Sequence, residues 1–216
     1  MGRLLLVRHG ESIWNERAIV QGQDGPGLTK RGHGQAGHLG TWLADEVPSD
    51  VAFVSSDLDR CRETAAPYAA LLGRAPELDE TLRERHFGSW QGVQRDDLER
   101  RDPQLWARFC AREDVVAEAG GESTPDLIQR VVPTLRALAA ASPVTVIVTH
   151  GGPVWHGTHD LLGVEEGVLG FVSNASVTVL DLGPDGGAYL LTWNQVGHLP
   201  VPLRTTWPQP RVTEPG

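Results

Sequence analysis

Cysteine is scarce in this chain of 216 residues: Cys61 and Cys110 are the only two, and neither sits in a CxxC or Cys/His ligand spacing. A disulfide framework and a zinc knuckle are therefore excluded, and reduced thiols in a cytosol are the expectation. Long apolar runs are missing as well. The longest, such as Val144 to Val148, fall far short of the roughly 20 residues that cross a bilayer. Positive charge is in deficit, with 19 Lys and Arg against 28 Asp and Glu, a net charge of −9 and a pI near 5.3. A global basic surface for nucleic acid or an anionic membrane is excluded on that balance. Met1-Gly2-Arg3 is followed by four apolar residues and then Arg8-His9, without the apolar core of a secretion signal, so a cytoplasmic location is expected. No repeat of solenoid period, no carboxylate cluster spaced for a metal and no GxSxG nucleophile elbow is present.

What is present is ordinary globular chemistry: 40% apolar and 22% charged residues, well away from the signature of disorder. At about 150 residues per domain, the length suits one domain with an elaboration. Arg3-Leu4-Leu5-Leu6-Val7 is a continuous apolar run that stops at Arg8-His9-Gly10, as a strand buried on both faces does. Thr29 can cap a helix whose apolar positions Ala36, Leu39, Leu43 and Val47 recur at spacings of three and four. Val51 to Val54 reads as a second strand ending at Ser55-Ser56-Asp57, with a helix from Leu58 to Leu72 after it. Residues 74–125 change character and read as an inserted cap, helical from Asp96 to Arg112. Ser123-Thr124-Pro125 starts a helix that runs to Ala141, with a kink expected at Pro133. Val144 to Val148 repeats the design of the first strand and stops at Thr149-His150-Gly151-Gly152. Val177 to Leu182 and Ala188 to Trp193 flank Pro184-Asp185-Gly186-Gly187 and read as an antiparallel edge hairpin. The alternation predicts an α/β three-layer sandwich around a mostly parallel sheet, one domain over residues 1–199, and a proline-rich peripheral tail over 200–216.

In open α/β sheets, ligands bind outside the carboxyl ends of the strands, and His9-Gly10 and His150-Gly151 both lie there. Either pair alone is weak evidence; two in matching positions point to one site. Arg8 precedes His9 and Arg60 begins the helix after the second strand, so two guanidiniums are expected in the same crevice, where their planar forks suit phosphate oxygens. Ser12 and Asn15 add neutral donors and a helix amino terminus. This grouping suggests phosphoryl transfer through a phosphorylated imidazole, with the cations taking the role that metals play elsewhere. The scheme needs an acid for the leaving alcohol, a carboxyl group kept partly protonated by burial or nearby charge, and by residue type Glu11 and Glu84 serve equally.

Arg8-His9-Gly10-Glu11-Ser12 with Asn15 resembles the signature of the histidine phosphatase superfamily, the phosphoglycerate mutase-like family. Gln21-Gly22, Leu28-Thr29, Ser55-Ser56-Asp57-Leu58 with Arg60, Leu82 to Gly88 with Trp90, Gly121-Glu122-Ser123 and Val148 to Gly152 follow in the family's order, over residues 3–195. The resemblance implies that His9 is the phosphorylated nucleophile, that Arg8, Arg60 and His150 grip the phosphoryl group, and that Glu84 is the proton donor. It further implies a substrate cradle of Ser12, Asn15, Gln21, Gly22 and Gly151, with no metal and no other cofactor. Ser12 stands where many members have threonine and Gln91 where many phosphatases have glutamate, and Gly25-Pro26-Gly27 alters the loop before Leu28.

The compact segment from Gln91 to Gly120 resembles phosphatases, including those for glucosyl-3-phosphoglycerate and those of broad specificity. The expectation is a metal-independent phosphatase acting on a small phosphorylated metabolite. A cofactor-dependent phosphoglycerate mutase and a non-catalytic phospholigand-binding module are the alternatives. Trp14, Trp90, Trp106 and Phe109 are candidates for the leaving-group side, with Arg85, Arg108 or Arg112 meeting a second anionic group; packing of the cap and a solvated surface are the favoured readings of each. Cys61 reads as a helix-packing thiol, and a homodimer through the edge hairpin is compatible with the family's habit.

Overall fold

The computed structural model describes residues 1–205. Along the chain run β1 (Gly2–Arg8), α1 (Ile13–Glu16), α2 (Lys30–Glu46), β2 (Ala52–Ser55), α3 (Asp59–Leu72), β3 (Glu77–Leu78), α4 (Arg95–Arg101), α5 (Pro103–Cys110), α6 (Thr124–Ala141), β4 (Val144–Thr149), α7 (Gly151–Leu162), β5 (Val177–Leu182) and β6 (Ala188–Gln195). The strands form one six-stranded sheet in the order β3-β2-β4-β1-β5-β6. β1, β4, β2 and β3 are parallel neighbours, and β5 runs antiparallel to both β1 and β6. The α/β sandwich and the antiparallel hairpin at one edge thus match the sequence expectation.

The apolar run of β1 is continuous because both of its faces are covered. Leu4 and Leu6 join Ile147 and Leu180 under Leu127, Val131 and Leu135 of α6 and Val154 of α7. Leu5 and Val7 join Phe53, Val146 and Val148 under Leu39 and Leu43 of α2 and Ala65 and Tyr68 of α3. Burying each of these larger aliphatic side chains contributes roughly 1.5–3 kcal/mol. The cap has a separate small core of Val20, Trp90, Leu98, Val115 and Val116, with Trp106 and Phe109 packed on it.

Three expectations need correction. The segment Asp96 to Arg112 is two helices, because Pro103 cannot donate to a continuing ladder; Asp102 instead caps the second by accepting from Leu105 N at 3.0 Å. Within the stretch read as an insertion, Glu77–Leu78 pairs with β2, so the sheet extends into it. The start of the proline-rich segment is not loose: Gln35 Nε2 donates to Leu203 O at 2.7 Å, and Arg31 Nη2 donates to Arg204 O at 2.5 Å. The rest of that tail, 206–216, lies outside the described residues. Ser123 caps α6, its side chain accepting from Asp126 N, and the helix continues to Ala141 with Pro133 inside it.

The loop that follows β1 is fastened to the first turns of α2 and to α3. Thr29 N donates to Glu11 O at 2.9 Å, Glu11 N to Gln35 Oε1 at 2.7 Å, and Gly10 N to Thr64 Oγ1 at 2.9 Å. This close approach requires glycine at position 32, where a Cβ would lie 2.1 Å from Glu11 O, whereas a Cβ at Gly37 in the same helix would meet nothing within 4 Å. Gly32→Ala is therefore expected to destabilise the protein by about 1–3 kcal/mol through forced backbone movement. Gly37→Ala should stabilise it by up to about 1 kcal/mol through helix propensity. Urea unfolding of the two variants checks the contrast, and equal midpoints would refute it.

Candidate active site

Strand register brings the site together. Arg8 pairs with Thr149 across β1 and β4, and Ser55 pairs with Val148 across β2 and β4. His9, His150 and Ser56, each one residue past its strand, consequently stand side by side at the carboxyl edge of the sheet. The His9 and His150 rings lie 5.2 Å apart, edge to face.

The tautomers follow from the partners. His9 Nδ1 lies 2.7 Å from Gly10 O, which can only accept, so Nδ1 carries the proton and the lone pair is on Nε2. Arg60 Nε donates to His150 Nδ1 at 3.1 Å; a guanidinium cannot accept, so His150 carries its proton on Nε2 and gives it to Ser56 Oγ at 2.8 Å. Burial first, then repulsion from Arg60 and Arg8, holds His9 well below the ordinary imidazole value of 6.5. Burial, Arg60, His9 and Arg8 do the same to His150. Both rings are thus neutral in the fold.

The two arginines are fixed by main-chain carbonyls rather than by carboxylates. Arg60 donates through Nη1 to Asp24 O at 2.9 Å and through Nη2 to Gly22 O at 2.6 Å. Arg8 Nη1 donates to Val172 O at 2.6 Å, and Arg8 Nε is buried with no hydrogen-bond partner among the described residues. Burial brings the Arg8 guanidinium down to about 10, against the attraction of Glu84. Glu84 is half-buried. Its carboxyl group accepts from Gly152 N at 3.0 and 3.2 Å and from Arg85 N at 2.9 Å. A Cβ on Gly151 would lie 3.5 Å from Arg8 Nε and 3.7 Å from Glu84 Oε2, so those two groups face each other across a glycine that keeps the gap open. Glu11, the other candidate acid, is engaged elsewhere, accepting from Thr29 Oγ1 at 2.9 Å and pairing with Arg31 at 3.5 Å.

The remaining cradle residues are one layer out. Ser12 caps α1, its hydroxyl accepting from Asn15 N and donating to Gln21 Oε1 at 2.7 Å. Gly22 contributes its carbonyl to Arg60. Gln91 reaches the same loop from the cap, accepting from Gln23 N at 3.0 Å and donating to Asp24 Oδ2 at 2.7 Å, a bond that a glutamate there could not donate. Trp90, Trp106 and Phe109 pack on one another inside the cap, and Trp14 lies against Gly25. The Cys61 thiol is buried 3.3 Å from His150 Nε2, and burial pushes it far above the ordinary thiol value, so it is a packing group.

Sequence reasoning did not single out four residues that hold the site. Ser56 obeys the same strand-end rule as the two histidines and was legible on that ground. Gln23 Nε2 donates to Glu84 O at 3.1 Å, and Arg130 donates to the carbonyls of Thr81 at 2.7 Å and Arg83 at 3.0 Å while pairing with Glu122. Asn174 Nδ2 donates to His9 O and to Asn15 Oδ1, both at 3.1 Å. No local pattern marks these last three. Among the described residues, no group of three or more His, Cys, Asp or Glu is placed to hold a metal ion.

With this geometry in place, the comparison with known proteins is decisive about kinship. A sequence model of the Histidine phosphatase superfamily (branch 1) matches residues 4–196. The chain belongs to the histidine phosphatase superfamily. Metal-independent phosphoserine phosphatase of Arabidopsis thaliana is 34% identical over 201 residues, 91% of this chain and 82% of that protein. Glucosyl-3-phosphoglycerate phosphatase of Mycolicibacterium vanbaalenii is 34% identical over 187 residues, 81% of each chain. Other relatives are longer: the chain spans 55% of a bifunctional protein of Mycobacterium tuberculosis at 32% identity. Among solved structures, mycobacterial glucosyl-3-phosphoglycerate phosphatase in complex with VO3 has a TM-score of 0.80 at 32% identity, covering 91% of this chain and 100% of that one. This superfamily member shares with them its mixed sheet and flanking helices.

Two outcomes are expected from the buried imidazoles. Nitrogen-15 NMR should show His9 neutral and protonated on Nδ1 at pH 6, and a ring that titrates at the ordinary 6.5 would contradict the assignment. The unfolded chain binds protons on both rings as pH falls through 6.5 while the fold does not, so stability is present above that value and is lost below it. Each ring costs up to about 1.4 kcal/mol per pH unit. The loss between pH 7 and 5.5, read by urea unfolding, should be smaller in His150→Gln than in the unaltered protein.

Proposed function

We propose that this protein is a metal-independent phosphomonoesterase that passes a phosphoryl group from a small phosphorylated metabolite to His9 and then to water. The observation that carries the reading is the 2.7 Å bond from His9 Nδ1 to Gly10 O, which leaves the lone pair on Nε2 of a ring beside His150; in this reading Arg8, Arg60 and His150 surround the phosphoryl group. That lone pair attacks phosphorus as the ester P–O bond breaks, and Glu84 gives its proton to the departing oxygen. The resulting Glu84 carboxylate takes a proton from water as the water oxygen attacks the phosphohistidine; the P–N bond breaks, its electron pair returns to His9, and inorganic phosphate leaves.

The partnerless Nε–H of Arg8 and the guanidinium of Arg60 meet the equatorial oxygens, where charge spreads in the transition state. His150 is occupied by Arg60 and Ser56 in this arrangement, so it reaches the phosphoryl group as an imidazolium: the bound anion favours protonation of Nδ1, and Arg60 Nε is released to the substrate. Ser12, Asn15, Gln21, Gly22 and Gly151 shape the cradle. The cationic lining supplies the charge that a metal would, and the metal-independent relative from Arabidopsis supports the same reading.

No helix among the described residues is long and apolar enough to cross a membrane. Two free cysteines, Cys61 and Cys110, suit a cytoplasmic setting. Tyr189 and Leu191, exposed at 57% and 50% on edge strand β6, suit a homodimer through that hairpin.

Phosphate release from p-nitrophenyl phosphate in chelator is the test. His9→Ala should fall to background, and Glu84→Gln should slow alkyl phosphates at least tenfold more than the nitrophenyl ester, whose leaving group needs no proton. Equal losses on both would remove Glu84 as the acid, and activity restored only by a divalent ion would remove metal independence.

A further inference from the structure

Arg60 takes its orientation from one loop. Besides His150 Nδ1, its guanidinium donates to the carbonyls of Gly22 and Asp24, so its direction depends on where residues 22–24 stand. Two of the hydrogen bonds that tie this loop to the rest of the fold come from a single side chain, that of Gln91.

Gln91 reaches the loop from the cap. Trp90, the residue before it, is buried in the cap core, and Gly92 N, the residue after it, donates to Val20 O at 2.9 Å, so its main chain is fixed on both sides. Gln91 Oε1 accepts from two main-chain donors, Gln23 N at 3.0 Å and Phe87 N at 3.1 Å. Those donors assign the orientation of the amide and leave Nε2 to donate to Asp24 Oδ2 at 2.7 Å. A Cβ on Gly22 would lie 2.1 Å from Gln91 Oε1, so loop and amide are in direct contact. Gln23 closes the arrangement by donating from Nε2 to Glu84 O at 3.1 Å, whereas the Glu84 carboxyl group is held outside the loop, by Gly152 N and Arg85 N.

Charge makes the amide specific. A glutamate at position 91 would keep both bonds to main-chain N–H groups and lose only the donation to Asp24, setting two carboxylates against each other where a 2.7 Å hydrogen bond now stands. Their repulsion would drive Asp24 from the cap, and with it the carbonyl that receives Arg60 Nη1.

We infer that Gln91 is a positioning residue that acts through Arg60: by accepting from Gln23 N and donating to Asp24, its neutral amide latches the cap to the loop whose carbonyls orient the guanidinium. The inference rests on the phosphatase reading above for what Arg60 grips. It gives the glutamine at position 91 a reason, since Asp24 requires a donor opposite it.

The test measures the affinity for inorganic phosphate by calorimetry, and kcat/KM for p-nitrophenyl phosphate and an alkyl phosphate, with thermal unfolding to verify that each variant is folded. Gln91→Glu is expected to weaken phosphate binding at least fivefold and to lower kcat/KM on both esters by similar factors. Combining it with Asp24→Asn exchanges donor and acceptor, and this double variant should recover to within about twofold of the unaltered protein, a rescue that a general packing role would not produce. Should Gln91→Glu not fold, Asp24→Ala carries the test, because it removes the acceptor without adding charge and is expected to weaken phosphate binding at least threefold. Phosphate affinity unchanged in the single variants, or no recovery in the double variant, overturns the inference, and a loss confined to the alkyl ester overturns it by routing the effect through Glu84. If the unaltered protein binds phosphate but does not hydrolyse p-nitrophenyl phosphate, the phosphatase reading falls, and the phosphate affinities of the variants still decide for or against the latch.

Discussion

The parallel pairing of β1 with β4 governs the rest of the site. Its register sets Arg8 against Thr149, so the next residue of each strand is a histidine, and the two rings meet 5.2 Å apart without any loop having to bring them there. The strands are held in that register by apolar faces buried on both sides, and a slip of one residue would turn Leu4 and Leu6 from one helix layer to the other. Phosphoryl chemistry needs groups fixed to a fraction of an ångström, and a doubly covered central strand pair is the stiffest part of such a fold.

That placement concentrates like charge. Arg60 is buried and Arg8 half-buried beside two imidazoles, and among the described residues no carboxylate pairs directly with either guanidinium. Main-chain carbonyls of Gly22, Asp24 and Val172 take the arginine N–H groups instead. These acceptors are dipoles, so they satisfy the hydrogen bonds while leaving the net positive field available to a dianion. Together with burial, the same field depresses both imidazoles and keeps the rings neutral. Fold stability and phosphate affinity are thus opposed at this point, as at many functional sites.

The cap contributes in another way. Its own core of Trp90, Trp106 and Phe109 is separate from the two sheet-flanking cores, and from it Gln91 reaches the loop that holds Arg60 while Arg112 reaches the α7 side. The aromatic side chains pack the cap, and its polar side chains tie it to the rest of the fold.

Much of this was legible in the sequence. Unbroken apolar runs ending in His-Gly identify central parallel strands and their functional ends, because only a strand buried on both faces can be apolar at every position. Residue chemistry left Glu11 and Glu84 as equal acids, and family resemblance favoured Glu84. The structure sets them in different surroundings: Glu11 is tied to Thr29 and Arg31, while Glu84 faces Arg8 across Gly151. The break at Asp102-Pro103 was readable from proline's missing donor. Arg130, Gln23 and Asn174 were not, since each acts by donating to a carbonyl distant in sequence, and nothing local marks such a contact. By itself, the sequence determined the α/β alternation and the residues at the ends of the central strands, because burial periodicity and turn chemistry are local. Only the tertiary structure decided the tautomers of His9 and His150 and the pairing that neutralises Arg85 and Arg108, because each depends on which distant atoms the fold brings within bonding distance.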